Sequence, residues 1–355
     1  MKKLLLLSIV SLGFTISMFS QGDCEDLLKA IKNNDKAKVE QLLKSVDPDC
    51  AYSRSDPRTP LVMATRKGHS DIALLLLQKG ADPEYHVSGD ESPLLAASGR
   101  GMSEVVKLLV DKGVNVNEKL RGDGTALLAA SRHGKLETVK YLLQKGAKPD
   151  LVVRGDGTAL SNAIQYNHDE VVRLLLEYGA DPNLGTRSDG YPLMLAAQNG
   201  NEEVISWLLE KGAYANKDFI GDGNAMIQAA MNGDTETIKT LLNAGADINR
   251  GVKGDGNPLI MAAKYGHHDL VEYLIKSGAD VNYEVVGDET PLINASEQGH
   301  LDIVKLLIAN GADVNKSSRD GFFLYGRVRT PLKMARKNNH RDVEKYLLGQ
   351  GATND

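Results

Sequence analysis

The sequence predicts an all-α solenoid, a row of stacked helix-turn-helix units joined by hairpin-like finger loops. Two observations carry that prediction. Pro or Ala recurs every 33 residues, at Pro60, Pro93, Ala126, Ala159, Pro192, Ala225, Pro258 and Pro291. Each interval also holds the same order of signals: a cap, an apolar run, a Gly turn, a second apolar run and a Gly stop. A repeat of this length is one supersecondary unit that cannot bury its own apolar face, so successive units must stack. Function is then expected on a surface and not in a closed pocket.

The chain starts Met1-Lys2-Lys3 and runs uncharged from Leu4 to Phe19, the basic and apolar regions of a secretory signal peptide. The run is shorter than the ~20 residues of a membrane-spanning helix. Ser20 and Gly22 suit cleavage before Asp23, which assigns 1–22 to a signal peptide and 23–355 to the repeat domain, with caps at 24–56 and 317–355. An uncleaved anchor and acylation of Cys24 are the rival readings; Asp23, standing where acylation needs a small residue, weighs against the second. The Lys-Lys-Leu start resembles bacterial signals, which points to the periplasm or the outer surface.

Residues 1–22 carry two Lys and no acid, so the formal charge of −5 becomes −7 without them. A globally acidic body argues against nucleic acid, because phosphate binding needs a basic face. The repeats account for nearly all that remains, which leaves no room for a separate catalytic domain. The two cysteines, Cys24 and Cys50, survive cleavage and meet an oxidising compartment, so a disulfide closing the N-terminal cap is expected; two buried free thiols are the alternative.

The stretch from Thr290 to Asn315 shows how one unit is built. Thr290 caps a helix through its hydroxyl, and Pro291 occupies the first turn, where its missing N–H costs nothing. Gly299 ends that helix. Ile303, Val304, Leu306, Leu307 and Ile308 form a broad apolar side with a period near 3.6, and Gly311 terminates the second helix.

This pattern of Thr-Pro-Leu, a Gly-His turn, Val-Val-x-Leu-Leu and Gly-Ala-Asp-x-Asn resembles the ankyrin repeat family. Further versions stand at Ser92-Pro93-Leu94, Gly68-His69, Val105-Val106-Lys107-Leu108-Leu109 and Gly179-Ala180-Asp181-Pro182-Asn183, and the resemblance covers roughly residues 24–354, about ten repeats. The chain departs from the pattern twice. The His that usually follows Thr-Pro-Leu is replaced by Val62, Leu95, Leu128, Ser161, Met194, Ile227, Ile260, Ile293 and Lys333, so packing is expected to do its work. The fingers carry a shifted Gly-Asp-Gly, as at Gly122-Asp123-Gly124 and Gly254-Asp255-Gly256.

Several features could carry chemistry, and each has a structural reading. Asp90, Asp123, Asp156, Asp189, Asp222, Asp255 and Asp288 share one phase and could form a calcium ladder; Asp-Gly is also ordinary tight-turn chemistry, the side chain bonding nearby backbone N–H groups, and that reading is preferred. Arg121-Gly122-Asp123 and Arg154-Gly155-Asp156 spell an integrin-binding tripeptide, which a copied finger explains more simply. His69, His168, His267, His268, His300 and His340 lie whole repeats apart or in the family's turn position and do not converge as zinc ligands must. Trp207 shares its phase with Leu108, Tyr141, Leu174 and Tyr273 and is read as packing. No nucleophile elbow or phosphate loop is present, so no catalysis and no cofactor are expected.

The positions that family members use for binding are the finger residue before Gly-Asp and the last two residues of the first helix, which line the concave side. They read Arg66-Lys67, Gly99-Arg100, Arg132-His133 and Gln165-Tyr166, with Arg121, Arg154 and Arg187 in the fingers. A positive strip on a negative body would steer an acidic partner; a solvated face neutralised by the Asp ladder is the alternative. The interval from Pro291 to Pro331 is seven residues too long. It contains Phe322 and Phe323, either a second contact site or a cover over the end of the stack. The resulting reading is a monomeric, exported protein that binds another protein along the concave face. A secreted effector acting on a host cell and an enzyme with an atypical finger-loop site are the alternatives.

Overall fold

The computed structural model describes residues 21–50, 59–85, 91–120, 124–153, 155–186, 190–219, 221, 223–285, 289–319 and 328–353. Among them twenty helices follow in pairs: α1 (Gln21–Lys32) and α2 (Lys36–Leu42), α3 (Pro60–Lys67) and α4 (Ser70–Gln78), α5 (Pro93–Arg100) and α6 (Ser103–Asp111), α7 (Ala126–Arg132) and α8 (Leu136–Gln144), α9 (Ala159–Gln165) and α10 (Asp169–Glu177). The series continues with α11 (Pro192–Asn199) and α12 (Glu202–Glu210), α13 (Ala225–Asn232) and α14 (Thr235–Asn243), α15 (Pro258–Tyr265) and α16 (His268–Lys276), α17 (Pro291–Gln298) and α18 (Leu301–Ala309), α19 (Pro331–Lys337) and α20 (Arg341–Gly349). Two compact units contain them: an N-terminal unit, Met1–Ala97 with Glu104–Val114, and a C-terminal unit, Ser98–Ser103 with Asn115–Asp355. The all-α repeat architecture is the one the 33-residue period predicts.

The first helix of each pair starts where the sequence places its cap. Thr59, Ser92, Thr125, Asn224, Asn257, Thr290 and Thr330 each accept a bond from the backbone N–H three residues on, at 2.8–3.3 Å. Thr158 and Ser161 cap reciprocally. Tyr191 has no side-chain cap bond; its ring meets Phe219 edge-on at 5.9 Å instead.

In the C-terminal unit α7, α9, α11, α13, α15, α17 and α19 form an inner row in which each packs on the next. Ala130, Ala163, Ala196, Ala229, Ala262, Ala295 and Ala335 are fully buried there, and their small size lets the backbones approach closely. The outer helices expose one side and bury Val, Ile and Leu on the other, such as Val171, Val172 and Leu175 of α10. In the N-terminal unit α1 packs on α3 and α2 on α4. The residues standing where the family has His are buried from Val62 to Ile293, and this packing has a specific target: a Cβ on Gly223 would meet Ile227 at 2.8 Å, and one on Gly124 would meet Leu128 at 3.2 Å. The finger glycine is bare because the apolar side chain lies on it.

Each described finger in the C-terminal unit closes with a single bridge, Leu120 to Gly124, Val153 to Gly157, Thr186 to Gly190, Phe219 to Gly223 and Val252 to Gly256. The shifted Gly-Asp-Gly follows from this tight turn: Gly254 and Gly256 both take positive φ, 88° and 70°, with the Asp between them.

Two ladders bond one repeat to the next. His168, His267, His300 and His340 place Nε2 2.9–3.2 Å from the carbonyls of Arg132, Met231, Lys264 and Glu297. The first three pairs are 36 residues apart and the last 43, the difference being the seven-residue excess. In the N-terminal unit His69 Nε2 is buried without a partner among the described residues. The second ladder uses Asn. Asn216 donates to the Gly245 carbonyl at 2.9 Å and accepts from Asp247 N at 2.8 Å; Asn183, Asn282 and Asn315 repeat the arrangement. Asp49 takes the acceptor half of this role toward Asp82 N at 3.0 Å, and burial, with Asp47 and Asp82 nearby, raises its pKa.

Cations of one outer helix lie over aromatic rings of the next: Arg173 over Trp207 at 5.9 Å, Lys239 over Tyr273 at 5.6 Å and Lys305 over Tyr346 at 5.7 Å. Trp207 is thus a packing residue as expected.

Cys24 and Cys50 are disulfide-bonded with Cα atoms 5.9 Å apart. Cys24 lies in the first turn of α1 and is buried. At the other end Ser318–Arg319 pairs antiparallel with Val328–Arg329, bracketing 320–327. Arg329 is held between Glu289 at 2.5 Å and Glu297 at 2.6 Å, which ties the end of the long interval to the repeat before it. Phe322 and Phe323 lie outside the described residues.

Two measurements test the ladders. Gly233 has φ 72°, and a Cβ there would sit 2.6 Å from His267 Nδ1, whereas Gly245, at φ 85°, has nothing within 4 Å. Gly233→Ala should therefore cost about 1 kcal/mol or more beyond the roughly 1–2 kcal/mol of backbone strain that Gly245→Ala shows in urea unfolding. Equal losses would remove the His rung. Reducing Cys24–Cys50, which closes a 26-residue separation, should lower the stability of the N-terminal unit by about 3 kcal/mol. Hydrogen exchange in α1 and α2 with and without reductant reads the effect.

Candidate interaction surface

The ends of the inner helices and the fingers present the predicted site residues. In the N-terminal unit Lys67 is exposed and Arg66 is half-buried, with Nε 3.7 Å from Glu91. In the C-terminal unit Arg100 and His133 are exposed and Tyr166 is 50% exposed. Arg132 is different. Its Nε donates to Asn162 Oδ1 at 2.8 Å and its NH2 to Asp156 Oδ1 at 3.3 Å, and Asn162 in turn donates to the Asp156 carbonyl at 2.6 Å. Arg121, Arg154 and Arg187 lie outside the described residues.

The basic strip is therefore partly neutralised within the fold. In each unit an Arg at the end of an inner helix reaches an acid just ahead of the next inner helix, Arg66 to Glu91 and Arg132 to Asp156. At the C-terminal end the polarity is reversed, with Glu297 on the helix end and Arg329 ahead of the next helix. Fingers pair directly too: Arg250 holds Asp218 through two bonds of 2.8 and 2.7 Å.

Two of the ladder Asp residues are described, and both make contacts between repeats. Asp255 Oδ2 accepts from the backbone N–H groups of Gly221 and Gly223, at 3.3 and 3.1 Å, so it braces the preceding finger. Asp156 receives Arg132. Asp90, Asp123, Asp189, Asp222 and Asp288 lie outside the described residues. Among the described residues no group of three or more His, Cys, Asp or Glu side chains is placed to hold a metal ion.

Lys135 is the site residue that sequence reasoning missed. It stands at the head of α8, where His168 and His267 stand in their repeats, and its stem lies against Gly101. The break in the His series at this position was the available signal. His133 records the resulting field. Packing against Gly99 strips part of its hydration, and Arg132, Lys135, His168 and Arg100 add positive charge, so its pKa falls below the usual imidazole value. Because that shift disfavours the charged ring, His133 opposes folding more as the pH falls through its unfolded-state pKa and on toward its lower folded-state pKa.

A second aromatic position, Tyr265, is 47% exposed at the end of α15. On the outer side, a cavity of about 280 Å³ between α10 and α12 is lined by Arg173, Glu177, Glu203, Trp207 and Lys211 among others. Arg173 already occupies the face of Trp207 there and bonds Glu177 at 3.3 Å.

The pairing distinguishes two arginines that look alike in the sequence. Arg132→Ala should lower the stability of the C-terminal unit by about 1–2 kcal/mol, because Asp156 and Asn162 lose their partner. Arg100→Ala, exposed, should change it by less than about 0.5 kcal/mol. Urea unfolding of both variants checks this.

No curated protein matches the chain. A family model of ankyrin repeats, in three copies, matches residues 27–120, 94–186, 127–219, 160–252, 226–318 and 284–355. Since these overlapping matches run from residue 27 to the last residue and coincide with paired, capped helices bonded repeat to repeat, the chain belongs to the ankyrin repeat family.

Proposed function

We propose that this chain is an exported binding protein that holds another protein, one with an acidic surface, against its inner-helix ends and fingers, acting as a monomer and without catalysis. Ankyrin repeats generally mediate protein–protein interaction and are typically non-catalytic. The observation that carries the reading is a contrast within the repeats. Most caps, the Leu or Met after each inner-helix start and the buried Ala recur, whereas the partly or fully exposed helix-end pair changes from Arg66-Lys67 to Arg132-His133, Gln165-Tyr166, Lys264-Tyr265 and Glu297-Gln298. A scaffold that repeats while one exposed face varies is suited to recognising a specific surface.

Export is supported by the Lys2-Lys3 start with its apolar run and by the Cys24–Cys50 disulfide, which an oxidising compartment maintains. No helix among the described residues is long and apolar enough to cross a membrane. We assign 1–22 to the signal and 24–56 and 317–355 to the caps, the first closed by the disulfide and the second by the Arg329 clamp.

Crosslinking and mass spectrometry of the native protein in its own compartment test this function. Crosslinks to a partner should fall on the inner-helix ends and fingers. Crosslinks confined to the outer helices would overturn the reading.

A further inference from the structure

In the C-terminal unit one group of cations stands apart from the paired ones. Arg132, Arg250 and Arg329 each meet a carboxylate. Arg100, His133 and Lys135 have no acidic partner among the described residues, although they sit on adjacent turns. The turns are Gly99-Arg100-Gly101, His133-Gly134-Lys135 and Tyr166-Asn167-His168. A Cβ on Gly99 would lie 3.4 Å from His133 Cδ2, one on Gly101 would lie 2.8 Å from Lys135 Cδ, and one on Gly134 would lie 2.6 Å from His168 Nδ1. The missing Cβ atoms let the imidazole rings and the lysine stem lie directly against the turn before, which brings Arg100 of one repeat and His133 and Lys135 of the next into one array, with half-exposed Tyr166 of the following repeat at its edge.

Uncompensated like charges held this close repel one another, and an anion relieves that repulsion. The array also has a length. Packed helices stand about 8–10 Å apart, and the two repeats that carry Arg100, His133 and Lys135 are one such spacing apart. That exceeds a single phosphate and matches about three residues of extended chain at ~3.3 Å each. We propose that Arg100, His133 and Lys135 form an anion subsite for an extended acidic peptide segment of the partner protein, and that the bound segment holds His133 in its protonated form. This rests on the reading of this face as the partner-binding surface.

The groups facing His133 are Arg100 on α5, Arg132 on α7 with Asp156 paired to it, Lys135 at the head of α8 and His168 at the head of α10. Partial burial of the ring and the charges around it, all positive, hold its pKa down in the free protein. A bound carboxylate raises it again, so binding takes up a proton and tightens as the pH falls. The carboxylates of the segment stay ionised over the same range, since Glu titrates near 4.3.

The test uses the full oxidised chain and fluorescein-labelled hexaglutamate, followed by fluorescence anisotropy at low ionic strength. Arg100→Gln with Lys135→Gln should weaken binding at least about tenfold, and Lys345→Gln, on α20, should leave it unchanged. Affinity should rise at least about threefold from about pH 7.5 to about pH 5.5, and His133→Gln should flatten that rise. Urea unfolding confirms that the variants fold, and Arg100→Gln alone serves if the pair does not. Absent binding, equal binding by the double variant, a pH response unchanged in His133→Gln, or displacement of the peptide by equimolar inorganic phosphate would each overturn the subsite. If partner crosslinks map to the inner-helix ends while hexaglutamate binding fails, the binding surface stands and the subsite falls. If crosslinks map only to the outer helices, the surface reading falls and the peptide result still decides the array.

Discussion

No helical pair in this chain satisfies its own polar and apolar groups, and the rest of the structure follows from that. The carbonyl of Met231, at the end of the α13 inner helix, is met by the imidazole of His267, and the Gly245 carbonyl is met by Asn216 of the repeat before. The buried Ala row of one inner helix is covered only by the next. Stability is then a sum over neighbours, and each repeat depends on having one. Two further links are covalent and ionic: the Cys24–Cys50 disulfide in the first described repeat, and Arg329 between Glu289 and Glu297 ahead of α19.

The same dependence shapes the candidate surface. A cation at the end of an inner helix lies within reach of an acid ahead of the next, so Arg66 and Arg132 are drawn into bonds that hold repeats together. Around His133 the charges acting on the ring, from Arg132, Lys135, His168 and Arg100, are all positive, and among the described residues Arg100 and Lys135 meet no acid. Binding and stacking thus draw on one set of positions, and the identity of a single residue a repeat away decides which use a given side chain serves.

The outer row shows a second, slower rhythm. Arg173, Lys239 and Lys305 lie on alternate outer helices, and each covers a ring of the outer helix that follows, Trp207, Tyr273 and Tyr346. Each pair bridges one repeat to the next on the outer side. This use of the aromatic phase accounts for Trp207 without any ligand.

Much of the fold was legible in the sequence, because its determinants are local. The 33-residue period, the Thr and Asn caps, the Gly stops and the proximity of the two cysteines all depend on residues a few positions apart or on simple recurrence. Asn167 and Asn339 even take the positive-φ turn position that Gly holds elsewhere, as their short polar side chains allow. Which cations are free was not legible. Arg100 and Arg132 occupy neighbouring phases of the same motif, yet only the second finds Asp156 and Asn162 across the gap between repeats. That Asp255 also bonds the finger before its own was likewise not legible from its phase. A period states which residues stand in equivalent places. Only the stacked structure decides which side chains, 24 to 36 residues apart, come within hydrogen-bonding distance, because that distance is set by how closely two separately formed helices pack.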